Sequence, residues 1–79
     1  MTSQRLYPVK LNDFRWFLRK IGCNYIRTKG GHEIWSRYDL LRPITFQTHK
    51  KEIPKSIIQK NLNTLGISRD EFLKYMDEI

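Results

Sequence analysis

Cys23 is the only cysteine among the 79 residues. An internal disulfide needs two and a cysteine-based zinc site needs several, so both are excluded. A single thiol fits a reducing compartment. Long apolar runs are missing as well. Nothing approaches the roughly 20 apolar residues of a membrane-spanning helix. Met1 to Pro8 has no apolar stretch of the kind a signal peptide carries. A cytosolic protein with no membrane partner is expected. The two histidines, His32 and His49, and the scattered carboxylates show no metal-ligand spacing, so no metal and no other cofactor is expected.

Acidic residues are the marked deficit. Eight Asp and Glu face fifteen Lys and Arg, a formal net charge of +7. The imbalance is uneven. Residues 1–42 carry nine basic and three acidic side chains, residues 43–65 four and one, and residues 66–79 two and four. A basic body with an acidic end points to a polyanionic partner, with nucleic acid first and an acidic protein second. At this length there is room for one domain and one modest core, which the 13% aromatic content can fill with large side chains.

The most informative stretch is Lys29-Gly30-Gly31-His32-Glu33-Ile34-Trp35. Paired glycines before an apolar, aromatic run read as the tight turn of a β-hairpin, with His32 at the first rung of the outgoing strand. Histidine is the side chain whose ordinary pKa lies nearest neutrality, so at such a rim it can take or give a proton. A solvated turn histidine is the plain alternative.

The chain then divides readily. Residues 1–10 are polar and unpatterned and read as a loose N-terminal leader; residues 11–79 form the domain. Asn12 and Asp13 suit a helix start, Asn12 as the cap. Phe14, Phe17, Leu18 and Ile21 make one apolar stripe, and Gly22 stops it. Strands are expected over Cys23–Thr28, His32–Tyr38 and Ile44–Thr48, with Ile44 and Phe46 on one face of the third. A second helix follows Pro54, with Ile58, Leu62 and Leu65 inward and Lys55 and Lys60 outward, ending at Gly66 with Ile67 as its apolar contact. Ser68 and Glu71 form a capping box for a last helix with Phe72, Leu73, Met76 and Ile79 on its stripe. The order is α-β-β-β-α-α, an α+β fold with helices on one face of a three-stranded antiparallel sheet.

These residues, in this order, resemble the HicA family of toxins from toxin–antitoxin pairs. The resemblance runs from about Leu11 to Met76 and rests on four pieces: Lys20-Ile21-Gly22 closing the first helix; the Lys29-Gly30-Gly31-His32 turn with Ile34 and Trp35; a third strand leading to His49 and its lysines; and Ile57-Ile58-Gln59-Lys60-Asn61-Leu62 running to Leu65-Gly66-Ile67-Ser68 and Glu71-Phe72-Leu73. It implies a fold like the double-stranded-RNA-binding domain with an extra short C-terminal helix. It also implies a type II toxin: an endoribonuclease that cleaves mRNA without a metal and is neutralised by a HicB-like antitoxin. The family's functional histidine follows a Gly-Ser pair and matches His32. Here Gly31 stands where that serine is usual, and Gln47-Thr48-His49 lacks the usual proline.

The residues themselves support such chemistry. RNA supplies its own nucleophile, the 2′-OH, so the protein needs a base, an acid and positive charge at the phosphate. His32 is the expected catalytic group, as base or acid. Lys29 and the Gly30 and Gly31 N–H groups are expected to cradle a phosphate. His49, Lys50, Lys51 and Lys55 are expected to add RNA contacts, making binding salt-sensitive. Trp16 and Trp35 are expected in the core, as is Cys23. The alternative is a non-catalytic RNA-binding module of the same fold. A domain that meets only an acidic protein is a third reading.

Overall fold

The computed structural model describes residues 5–79, and its first regular element is one that no sequence period reveals. Strand β1, Val9–Lys10, pairs antiparallel with β5, Glu52–Ile53. Val9 faces Ile53 and both are buried, while Lys10 faces Glu52 and both are exposed. Two residues per strand are too few for alternation to register. Of the leader expected over residues 1–10, residues 1–4 lie outside the described residues, and Val9 belongs to the core.

Helix α1, Leu11–Lys20, buries Phe14, Phe17 and Leu18 of the expected stripe, and Ile21, at its C-cap, is half-buried against the core. Its start differs from expectation. Lys10 holds the cap position and gives no side-chain cap bond. Asn12 does not cap the helix; its Oδ1 accepts from Arg15 Nη1 at 2.8 Å. The first helical N–H, that of Leu11, instead donates to the Lys51 carbonyl at 3.3 Å. A tertiary contact thus meets one of the N–H groups that a cap residue would otherwise satisfy. The chain leaves the helix at Gly22, whose φ of +90° suits glycine.

Strands β2 (Asn24–Lys29), β3 (His32–Ser36) and β4 (Ile44–Gln47) form an antiparallel meander in that order. Their ends fall within two residues of those expected. Gly30 and Gly31 sit at φ +58° and +76°, the two left-handed positions of a type I′ turn. Glu33 pairs with Phe46 and Trp35 with Ile44, which sets these four on the helix-covered face. His32 pairs with Gln47 and Ile34 with Thr45, which sets them on the other. β2 is one of the two edge strands, and none of its residues is buried.

Helix α2, Lys55–Leu65, and helix α3, Arg69–Met76, complete the helical layer. α2 buries Ile58, Leu62 and Leu65 as expected, and also Asn61. Asn61 Nδ2 donates to the Thr45 carbonyl at 3.1 Å, so the buried amide is partnered and ties α2 to β4. Gly66 is left-handed, and Ile67 N–H returns to the Leu62 carbonyl, closing the helix end. Ser68 Oγ accepts from Glu71 N–H at 3.1 Å, the predicted α3 cap. Ile79 is exposed and lies outside the stripe expected to include it.

Phe14 is the hub of the core. Its ring meets Phe46 edge-on at 5.3 Å, and Phe17 meets Phe72 edge-on at 4.7 Å. Such pairs contribute about 0.5–1.5 kcal/mol each beyond the area they bury. These contacts lock α1 between the sheet and α3, and so fix the far face of β3, where His32 stands. Trp35 and Cys23 are buried in this core, and Trp16 is half-buried against Tyr75.

Candidate functional site

His32 opens β3, the central strand of the meander, directly after the Gly30-Gly31 turn. Lys29 and His32 are the last cross-strand pair before the Gly30-Gly31 turn. The His32 ring folds back on that turn, with Nδ1 3.2 Å from the Gly30 carbonyl. A carbonyl only accepts, so this hydrogen bond requires the proton on Nδ1. The neutral ring then carries its lone pair on Nε2. An exposed, oriented imidazole with a bare Nε2 is a competent proton acceptor.

The hairpin tip is also fastened to the end of β4. The Gly31 carbonyl accepts from Thr48 N–H at 2.9 Å and from Thr48 Oγ1 at 3.1 Å. His49 follows directly, and its Nδ1 stands 4.0 Å from where a Gly31 Cβ would lie. The two histidines, separated by 17 positions in the chain, therefore share one rim. An antiparallel meander brings the end of β4 toward the hairpin tip, but the register that seats His49 beside Gly31 is set by long-range contacts that the sequence does not show.

His32 lines a cavity of about 300 Å³ between β4 and the start of α2, together with Thr45, Gln47, Lys50, Ile57 and Lys60. Lys50 and Lys60 supply its positive charge, and Glu52 contributes one carboxylate. Lys60 is exposed, as expected for a residue outside the apolar stripe, and it also lines this cavity, a role the sequence conceals. Its only signal was its place off the apolar stripe of α2. Lys51 stands one step further along, in a neighbouring cleft with Lys10 and Arg15. Lys55 lines a different concavity, with Arg5, Gln59 and Arg69. Lys29 remains at the exposed hairpin tip. The rim thus gathers His32, His49, Lys50 and Lys60, borders Lys51, and leaves Lys55 apart. Among the described residues, no group of three or more His, Cys, Asp and Glu side chains is arranged to hold a metal.

Behind the rim, Glu33 anchors β3 to α1. Its carboxylate accepts from Arg15 through both oxygens and from Trp35 Nε1 at 2.9 Å. Burial pushes the Glu33 carboxyl up, but the bonds from Arg15 and Trp35 and the charges of Arg15 and Arg19 outweigh it, so the group lies below the ordinary carboxylate range. Arg19 also lies over the Trp35 ring, 5.8 Å from its centre. Trp35 is only 2% exposed and is closed to base stacking. This cluster holds the strand that carries His32, and nothing in the sequence pattern announced it.

The geometry so far defines a class: a small α-β-β-β-α domain with a third helix and an exposed histidine on a basic rim. The family model described as HicA toxin of bacterial toxin-antitoxin matches residues 12–67, well over half of the chain. The chain belongs to the HicA toxin family and is a toxin of a toxin–antitoxin system. No curated protein and no solved structure matches it significantly. The matched span contains the hairpin, both histidines, Lys50, Lys51 and Lys60. No helix among the described residues is long and apolar enough to cross a membrane.

Proposed function

We propose that this toxin is a metal-independent endoribonuclease that cleaves mRNA in the cytoplasm, with His32 as its general base. The observation that carries the reading is the contact of His32 Nδ1 with the Gly30 carbonyl, which leaves Nε2 free on a basic rim. In the reaction, Nε2 takes the proton of the RNA 2′-OH. The 2′-oxygen bonds to phosphorus, the bond from phosphorus to the 5′-oxygen breaks, and that oxygen gains a proton from an acid. The products are a 2′,3′-cyclic phosphate and a 5′-hydroxyl end. His49 supplies the acid from the same rim. Lys29, Lys50 and Lys60, with the N–H groups of Gly30 and Gly31, hold the phosphate and stabilise charge as it builds.

The family expectation of a HicB-like antitoxin fits the same surface. A partner that covers the rim between the hairpin and α2 would exclude RNA from His32. Growth and mRNA integrity after induced expression test the reading. Wild type should arrest growth and degrade mRNA, and soluble His32→Ala should do neither. Binding of RNA by wild type without any cleavage would instead make the domain a non-catalytic RNA module.

A further inference from the structure

We propose that the cleft at the start of α1 is a second RNA subsite, which takes the backbone phosphates of the strand as it runs on from the His32 cavity. The inference rests on the RNA reading above and adds the path of the substrate beyond the scissile bond.

The cleft measures about 750 Å³ and is lined by Lys10, Arg15, Lys50, Lys51 and one carboxylate, Glu52. Among the described residues the ion pairs are those of Arg15 with Glu33 and of Arg37 with Asp39. Arg15 is therefore neutralised by Glu33, and Lys10, Lys50 and Lys51 have no carboxylate within ion-pair distance. Three free ammonium groups face one carboxylate. Such a concave surplus of positive charge attracts a polyanion.

Two features separate this cleft from an ordinary solvated surface. The first is its frame. The β1–β5 pairing and the bond from Leu11 N–H to the Lys51 carbonyl fix Lys10 and Lys51 on either side of the cleft floor. The second is continuity. Lys50, Glu52 and Pro54 line both the cleft and the His32 cavity, so the two concavities adjoin across Lys50. A strand with its reacting phosphate beside His32 meets Lys50 next, then Lys10 and Lys51. Pro8, Leu11 and Pro54 give its sugars and bases an apolar wall.

The test measures binding rather than cleavage. Non-cleavable 2′-O-methyl oligonucleotides of about four and about twelve nucleotides, in the range of known single-strand site sizes, are titrated into wild type and into Lys10→Gln/Lys51→Gln. The double variant should bind the long oligonucleotide about tenfold more weakly at low salt. Its salt slope should be shallower by about 1.4, at roughly 0.7 for each lost phosphate contact. The short oligonucleotide should bind within about twofold of wild type. Lys10→Arg/Lys51→Arg keeps both charges and should restore long-oligonucleotide affinity, which separates charge from misfolding.

Equal affinity of wild type and the glutamine variant for the long oligonucleotide would overturn the subsite while leaving the RNA reading intact. Equal weakening for both lengths would also overturn it, because the effect would then be one of general charge. Loss of binding to poly-glutamate, with RNA binding preserved, would make the cleft a site for an acidic protein segment and would overturn it. Failure of wild type to bind either oligonucleotide at low salt would overturn the RNA reading and the subsite together.

Discussion

The Gly31 carbonyl accepts two hydrogen bonds from Thr48, one from the backbone N–H at 2.9 Å and one from the side-chain hydroxyl at 3.1 Å. This single acceptor joins the tip of the β2–β3 hairpin to the segment after β4. It places His32 on one side of the junction and His49 on the other. The catalytic reading depends on that junction, because neither histidine is held by deep burial.

Gly31 occupies a left-handed conformation, φ +76°, at the position where the resemblance to the family implies a serine. A Cβ there would meet only His49 Nδ1, at an ordinary contact distance of 4.0 Å. Space is therefore available, and the backbone conformation sets the cost. Gly31→Ser should lower stability by about 1 kcal/mol and shift the midpoint of thermal unfolding down by several degrees. It should also set a hydroxyl beside His49. Calorimetry on the two proteins checks the first effect.

Glu33 should make stability depend on acid. Its carboxyl titrates lower in the folded protein than in the unfolded chain. The unfolded group titrates near about 4.3. Above that pH the contribution is fully present. As pH falls through that value and then through the lower folded value, the contribution is lost. Glu33→Gln should cost about 1–2 kcal/mol at neutral pH, because it weakens charge-assisted bonds to Arg15 in a part-buried pair in which Arg15 still reaches solvent. The variant should then lose less than wild type between about pH 5 and pH 3. Denaturant titrations across that range read both effects.

Cys23 is buried beneath the end of α1, 4% exposed, and burial pushes its thiol up from the ordinary range. The thiolate is the reactive form. Cys23 should therefore resist an aromatic disulfide reagent at neutral pH until the protein unfolds. Its reaction rate should rise with denaturant in step with the unfolding transition. Rapid modification of the native protein would contradict this placement.

Much of the fold was legible because its signals are local. The α1 stripe of Phe14, Phe17 and Leu18 repeats with the helical period, and the Gly66 and Ser68 caps depend on neighbours a few residues away. The Gly30-Gly31 turn is equally local, since adjacent left-handed positions select glycine. What stayed hidden depends on contacts between distant segments. Asn12 had the chemistry of a cap, yet Arg15 took its side chain and Lys51 met the helix N–H instead. The β1–β5 pair is too short to show a period. The Arg15–Glu33 tie spans 18 positions and depends on how α1 lies across β3. His32 was legible as a residue at a turn, but its company of His49, Lys50 and Lys60 was not. That company arises from the register of β4 and the seating of α2 against it through Asn61.

The most direct measurement is single-turnover cleavage of a defined RNA by purified wild type and His32→Ala, with melting curves recorded on the same samples. His32 is exposed and holds no core contact, so the variant should melt like wild type. Its cleavage rate should fall by about 10² to 10⁴, the range a positioned acid or base contributes. Wild type should release 2′,3′-cyclic phosphate ends without added metal. A folded His32→Ala protein that cleaves at the wild-type rate would contradict the assignment.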